Sequence, residues 1–208
     1  MPNTHIEHPE DSILSGDLRV LRWFTEDGNI SVKIDGSPAI VWGTNPATKK
    51  FFVGTKSVFN KKLIKINHSH NEIDKNHTGF VAKVLHACFD NLPKTKKVYQ
   101  GDFIGFGGDY IYRPNTITYK FDEIIKQNII IAPHTLYHVK QDLKDAVAVP
   151  LSSIPRVTNK TKVKFIKPAA EIHNDNESIR SKCNFARQMA TLCEFPTKSS
   201  VVNNIKKQ

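Results

Sequence analysis

The chain has 208 residues, 39% of them hydrophobic and 24% charged, which is typical of a folded, water-soluble protein rather than a disordered one. No apolar run is long enough to cross a bilayer, so the sequence excludes a membrane-spanning protein. The formal net charge of +10 favours a polyanionic partner such as nucleic acid or nucleotide phosphates, although solubility alone would also explain it.

The first part of the chain predicts a short helix followed by strands. Residues 7–25 predict a short helix or turn, since Pro and acidic residues suit a first helical turn. Strand-like runs follow at 30–35, 38–43 and 50–55, separated by the turn-forming stretches DGSP and TNPATKK. The polar stretch NHSHNEIDKNH, at 67–77, predicts a loop.

The rest of the chain predicts a helix, several strands and a second helix. Apolar residues recur at helical spacing over 78–91, and Thr78 is a plausible cap. GFGGD is expected to form a hairpin turn, because no helix follows it to complete a phosphate-binding loop. The further predicted strands are 97–104, 109–113, 116–121, 128–139 and 163–166, and the second helix is 176–193.

These elements predict an α+β fold in one domain. Tight turns join most of the strands, so the sheets should be largely antiparallel. We expect a single domain over 1–193, with its core at about 18–168, and a flexible basic tail at 194–208.

The cysteines and the N-terminal stretch indicate the compartment. Cys88, Cys183 and Cys193 are too widely spaced for a zinc site or a disulfide framework, which favours the reducing cytoplasm. Cys88 falls on the apolar face of the predicted helix and should be a core residue. MPNTHIEHPEDS is polar and acidic, unlike a signal or transit peptide.

Lys33 and Asp35 stand in the apolar stretch SVKIDGSPAIVWG, where charged residues are unexpected. Alternation along a strand would place both side chains on one face and Ile34 on the other. One interpretation is an exposed ion pair on a hairpin. The other is a lysine held in a pocket, where burial or a neighbouring cation favours the neutral, nucleophilic amine.

VKIDGSPAI resembles the nucleotidyl-acceptor motif of the covalent nucleotidyltransferases, which comprise ATP-dependent DNA ligases, RNA ligases and mRNA capping enzymes. The resemblance implies that Lys33 attacks the α-phosphate of ATP, or of GTP, and forms a lysyl–nucleotide with release of pyrophosphate. It also implies nucleotide contacts by Asp35 and Gly36, a requirement for Mg²⁺, and the fold of a ligase adenylation domain with flanking helices.

Further motifs of this superfamily have counterparts in the expected order. Asp102, in VYQGDFIGF, replaces the usual glutamate of a Gly-Glu motif, and its carboxylate would bind Mg²⁺ or the ribose. In ITYKFDEII, Tyr119 or Phe121 would stack on the base, although plain strand core is the alternative. Lys162 and Lys164 form a K-x-K pattern whose two lysines would contact the α-phosphate from one face of a strand.

Other features of the superfamily match less well. Lys56, in GTKSVF, is the candidate for a basic residue that follows the acceptor motif. The Glu-Gly motif that supplies a metal-binding glutamate has no counterpart between Asp122 and Lys162, where NIIIAPHTLYHV carries His134 instead. The stretch after Lys167 leaves no room for the OB-type domain of ligases, so no OB domain is expected.

Four spaced segments also resemble ligase-like proteins encoded by large tailed phages. They are THIEHPED, KIDGSPA, QGD and PNTITY. This resemblance favours the nucleotidyltransferase fold and implies the host cytoplasm. Three hypotheses follow: a nucleic-acid ligase-like enzyme acting on DNA or RNA, an inactive nucleotide- or nucleic-acid-binding protein with the same fold, and a phage structural or accessory protein.

Histidines concentrate in two polar stretches. His5 and His8 form an H-x-E-H pattern that lacks the second half of any zinc-protease motif, so a helix-capping role or a ledge closing the nucleotide pocket is expected. His68, His70 and His77 belong to the predicted loop, for which a solvated loop is the simpler interpretation and a metal site the alternative.

Overall fold

The computed structural model divides the chain into two compact units. One comprises residues 1–6 and 33–168, and the other comprises residues 7–32 and 169–208. The predicted tail at 194–208 lies outside the described residues, as does Lys33. The described residues are 9–14, 16–25, 34–151, 153–156, 159, 161–167 and 176–192.

The described residues form helices and strands in the following order. The helices are α1 (Pro9–Leu14), α2 (Arg19–Trp23), α3 (His70–Asn76), α4 (Gly79–Asn91) and α5 (Asn176–Ala190). The strands are β1 (Ala39–Thr44), β2 (Phe51–Gly54), β3 (Val98–Phe106), β4 (Ile111–Tyr112), β5 (Tyr119–Lys120), β6 (Ile129–His138), β7 (Val147–Pro150) and β8 (Val163–Phe165). Two 3-10 turns, Lys56–Phe59 and Leu143–Asp145, lie between them.

The strands form one main sheet and a separate hairpin. The main sheet has the order β2-β1-β3-β6-β7, and β8 pairs with β6 on the same edge as β7 but at the opposite end of that long strand. β4 and β5 form the hairpin. Pairing is antiparallel except between β6 and β8, so the predicted α+β fold with largely antiparallel sheets is confirmed.

One face of the main sheet packs against α4. Trp42 and Phe103 of the sheet belong to the same buried apolar cluster as Leu85 and Cys88 of the helix. The helix expected over 78–91 is therefore confirmed, together with its apolar face. Burial raises the pKa of the Cys88 thiol, which agrees with its predicted place in the core.

The opposite face of the main sheet carries two apolar clusters with polar side chains between them. Along β3, Val98 belongs to the first cluster and Ile104 to the second, while the buried side chains of Gln100 and Asp102 lie between. The second, here called the hairpin cluster, includes residues from the β4–β5 hairpin. Its members are Ile34, Ile104, Tyr112, Tyr119, Phe121, Ile125, Ile130, Ala132 and Ile166.

A short helix, α3, lies where the sequence predicts a loop. The Ser69 hydroxyl accepts a hydrogen bond from the Glu72 N–H at 3.3 Å, and the Glu72 carboxylate accepts one from the His68 N–H. This S-x-x-E arrangement satisfies backbone donors that otherwise lack partners at a helix start. The loop prediction was wrong here because the polar histidines and asparagines around this capping signal give no apolar periodicity, which is the usual sign of a helix.

Several strand predictions differ from the structure. The run expected at 30–35 lies largely outside the described residues, and residues 34 and 35 of it are not in a strand. The hairpin strands β4 and β5 have two residues each, shorter than the predicted 109–113 and 116–121. β7 was not predicted, because its short, half-exposed VAVP sequence carries little periodic signal.

Candidate functional site

The segment that follows Lys33 runs alongside β3. The Ser37 N–H donates to the Phe103 carbonyl at 3.0 Å, and the Phe103 N–H donates to the Pro38 carbonyl at 3.1 Å. A Cβ on Gly36 would lie 2.4 Å from the same Phe103 carbonyl oxygen. This close backbone approach explains why glycine follows Asp35 in the K-x-D-G segment.

The β4–β5 hairpin holds Asp35 by three hydrogen bonds. The Tyr119 hydroxyl accepts from the Asp35 N–H and donates to the Asp35 carbonyl, each at 2.8 Å. The Asn115 side-chain amide donates to Oδ2 of Asp35 at 2.7 Å. The PNTITY segment is thus bound directly to the KIDG segment, and the Tyr119 hydroxyl is used for positioning.

Asp102 is a buried carboxylate on the sheet face that carries the hairpin cluster. It is 4% exposed and stands in register with Ala39 of β1 and Ala132 of β6. Its Oδ1 lies 3.5 Å from Nε2 of His134. The two side chains form an ion pair at this distance when the imidazole is protonated. Carboxylate oxygens bind hard cations and accept hydrogen bonds from hydroxyls, so this position suits binding of a cation or a sugar hydroxyl.

His134 owes its orientation to a bulge in β6. The pairing of β3 with β6 shifts by one residue between Gln100 and Gly101, and His134 is the extra residue on β6. Bulges commonly re-aim a side chain in this way. His134 Nδ1 lies 2.7 Å from the Thr135 hydroxyl, and Nε2 has no hydrogen-bond partner among the described residues.

His134 lies in NIIIAPHTLYHV, the stretch in which the expected Glu-Gly motif has no counterpart. The sequence singles out this histidine in an apolar strand, but its proximity to Asp102 was missed. The bulge brings the two side chains together, and the available sequence signal was Pro133, because proline inside a paired strand commonly marks a bulge.

Gln100 forms a second buried polar contact on this face. The Tyr137 hydroxyl donates to Gln100 Oε1 at 2.6 Å. Burial raises the pKa of Tyr137, so its hydroxyl stays protonated and remains a donor. The contact fixes the Gln100 side chain two residues before Asp102, and sequence reasoning missed it although a glutamine in an apolar strand was the available signal.

The two lysines of the K-x-K pattern do not share a face. Lys164 pairs with Ile130 in the parallel ladder, so its side chain lies on the same face as Asp102. Lys162 precedes β8, and its ammonium donates to the Asp90 carbonyl at 3.1 Å. This corrects the prediction, because the carbonyls at the end of α4 attract the Lys162 ammonium toward the other face of the sheet.

Phe121, Lys56 and Lys33, the remaining predicted residues, differ in their surroundings. Phe121 packs edge-on against Tyr112 in the hairpin cluster, with ring centroids 5.7 Å apart. Lys56 is exposed at the start of a 3-10 turn. Lys33 lies outside the described residues, two positions before Asp35. The predicted residues that the structure brings to this end of the sheet are Asp35, Gly36, Asp102, Tyr119, Phe121 and Lys164.

The described part of the chain contains neither a three-residue metal-ligand group nor a membrane-spanning helix. No three His, Cys, Asp or Glu side chains within it are arranged as ligands of one metal ion. None of its helices is both long and apolar enough to cross a membrane.

A family profile covers the whole of this site. The profile, described as a family of unknown function, DUF6267, matches residues 3–208. The chain belongs to the DUF6267 family. Neither the curated proteins nor the solved structures contain a match to it. Membership of DUF6267 therefore assigns no reaction, and the function must be argued from the residues themselves.

Proposed function

We propose that the chain is a nucleotidyltransferase of the kind found in ATP-dependent nucleic-acid ligases, with its nucleotide pocket on the Asp102 face of the main sheet. Lys33 would carry the nucleotide covalently. ATP is the expected nucleotide, with GTP as the alternative, and DNA or RNA is the expected partner.

The observation that supports this proposal most is the meeting of separate sequence segments at Asp35. The hairpin residues Asn115 and Tyr119 bind Asp35 directly across 80 and 84 positions of sequence. The segment beyond Asp35 enters β1, where Ala39 pairs with Asp102. The KIDGSPA, QGD and PNTITY segments therefore form one assembly, as a shared ligand site requires.

The proposed chemistry is attack by an amine on a phosphoryl group. The Lys33 ammonium first loses a proton to water, and the neutral amine then forms a nitrogen–phosphorus bond to the α-phosphate and releases a second proton to water. The bond between the α-phosphorus and the bridging oxygen breaks, and pyrophosphate leaves. Lys164, on the same face as Asp102, would offset the negative charge that develops on the α-phosphate oxygens.

Asp102 is the described carboxylate that would hold Mg²⁺. Mg²⁺ is commonly bound through one or two carboxylates together with substrate phosphates and water, so the finding of no three-residue ligand group among the described residues is compatible with it. When bound, the ion would offset the negative charge on the phosphate oxygens. Asp35, fixed by the hairpin, would position the ribose or the Lys33 amine.

A labelling experiment tests the proposal. The purified protein is incubated with α-labelled ATP or GTP and Mg²⁺, and then separated on a denaturing gel. We expect an acid-labile labelled band in the unaltered chain and in Lys144→Ala, a matched lysine variant on the exposed side of the Leu143–Asp145 turn. Lys33→Ala should give no band. Absence of label with either nucleotide, in protein shown to be folded, would reject the covalent mechanism.

A binding protein with the same fold is the second candidate. It is favoured by His134, which replaces the expected glutamate beside Asp102. Such a protein would bind oligonucleotides with an affinity that falls as salt rises, through the basic charge of the chain, and would not become labelled.

A further inference from the structure

Two histidines from neighbouring helices face each other at the surface of the unit that comprises residues 1–6 and 33–168, here called the main unit. His70 lies at the start of α3, and His86 lies in the middle of α4. The two ring planes are inclined by only 15°, and their centroids are 4.9 Å apart, so the rings meet edge to edge. Their Nδ1 atoms are 2.6 Å apart. The two imidazoles thus present the same nitrogen atom to one point.

Each imidazole contacts an aspartate through its Nε2 atom, on the side of the ring away from the other histidine. His70 Nε2 lies 3.0 Å from Oδ1 of Asp90, and His86 Nε2 lies 2.7 Å from Oδ1 of Asp74. Ionised carboxylates accept hydrogen bonds and do not donate them, so both Nε2 atoms carry hydrogen. The lone pair of each Nδ1 is then directed at the other histidine.

Two lone pairs at this separation repel, so a positive species must lie between the two Nδ1 atoms. A shared proton satisfies the distance in the structure. A metal ion satisfies the same electrostatic need, and an imidazole whose other nitrogen is bonded to a carboxylate is the usual form of a metal-ligating histidine. The side chains of His70 and His86 are 46% and 29% exposed, which gives an ion access from solvent.

We propose that His70 and His86 bind a divalent transition-metal ion through their Nδ1 atoms, with Asp90 and Asp74 orienting the two rings. Imidazole nitrogen favours Zn²⁺, Ni²⁺ or Cu²⁺ over the hard ion Mg²⁺, so this site is distinct from the proposed Mg²⁺ position at Asp102. Water would complete the coordination, since among the described residues only the two Nδ1 atoms are placed to reach the ion.

The required movement is small. Zinc–nitrogen bonds of about 2.0–2.1 Å at a tetrahedral angle place two nitrogens roughly 3.3 Å apart. The Nδ1 atoms would therefore separate by about 0.7 Å from their present distance, and the two rings would also turn so that both lone pairs meet at the ion. Because the ligands come from different helices, the ion would link α3 to α4.

Calorimetric titration of the chelator-treated full chain with Zn²⁺ tests the proposal. We expect one ion bound per chain, and at least a tenfold loss of affinity in His70→Ala and in His86→Ala. Asp90→Asn and Asp74→Asn should weaken Zn²⁺ binding by about 10–100-fold, as mutation of the hydrogen-bond partner of a metal-ligating histidine typically does. His138→Ala removes an exposed histidine at the end of β6 and serves as the matched control.

Two controls distinguish binding at His70 and His86 from binding at other histidines and from loss of binding through misfolding. His5→Ala/His8→Ala removes the H-x-E-H pattern and should leave Zn²⁺ affinity unchanged. Imidazole ¹⁵N chemical shifts should show that saturation with Zn²⁺ moves the Nδ1 signals of His70 and His86, in protein whose circular dichroism is unaltered. Unchanged Nδ1 signals, or binding lost only in the His5/His8 variant, would overturn the proposal.

Discussion

The hydroxyl of Tyr119 provides the most direct test of how the K-x-D-G segment is held. Tyr119→Phe keeps the ring in the hairpin cluster and removes only the two hydrogen bonds to the Asp35 backbone, each 2.8 Å long. A net hydrogen bond contributes about 0.5–1.5 kcal/mol, so we expect the free energy of unfolding to fall by about 1–3 kcal/mol. Nucleotide labelling should fall as well, because Asp35 would lose its position.

The assay is urea unfolding followed by tryptophan fluorescence in a Trp23→Phe background. The signal then reports Trp42, which is fully buried in the main unit. Tyr110→Phe is the control, since Tyr110 is 42% exposed and its variant should stay within about 0.5 kcal/mol of the parent. If Tyr119→Phe is as stable as this control, the hairpin does not hold Asp35 as described.

The remaining predictions concern backbone packing, pH and the core. Gly36→Ala should destabilise by about 1–3 kcal/mol or more in the same assay, because its Cβ would lie 2.4 Å from the Phe103 carbonyl oxygen. Burial, and then the charge of Lys65, lowers the pKa of His77, so the unfolded chain binds a proton more readily. The free energy of unfolding should therefore fall as pH drops below about 6.5, and His77→Gln should flatten that dependence between neutral and mildly acidic pH. Cys88→Ser places a hydroxyl in a fully buried apolar site and should cost about 1–3 kcal/mol, measured by urea unfolding.

The sequence predicted the elements that have strong periodic patterns. α4 follows from its apolar spacing, and β3 and β6 follow from their β-branched and aromatic residues bounded by turn-forming stretches. Local patterns set these elements, so no knowledge of the rest of the chain is needed. α3 was missed because its signal is a short capping arrangement at Ser69 and Glu72 rather than a periodicity.

The site was predicted only in part, because its geometry depends on contacts between distant residues. Asp35 and Asp102 were selected by their place in recognisable segments, but the hydrogen bonds from Tyr119 to Asp35 depend on how the hairpin packs. Strand alternation alone placed Lys162 beside Lys164, and it failed because β8 begins only at Val163. The bulge that turns His134 toward Asp102 likewise arises from the pairing of two strands.

The most direct test of the proposed function is to locate the nucleotide on the chain. After incubation with ATP and Mg²⁺, the protein is digested under mildly alkaline conditions, and the peptides are analysed by mass spectrometry. A nucleoside monophosphate adduct on the peptide that contains Lys33, absent in Lys33→Ala, is the predicted result. An adduct on another lysine such as Lys56 or Lys164, or no adduct with either ATP or GTP, would contradict it.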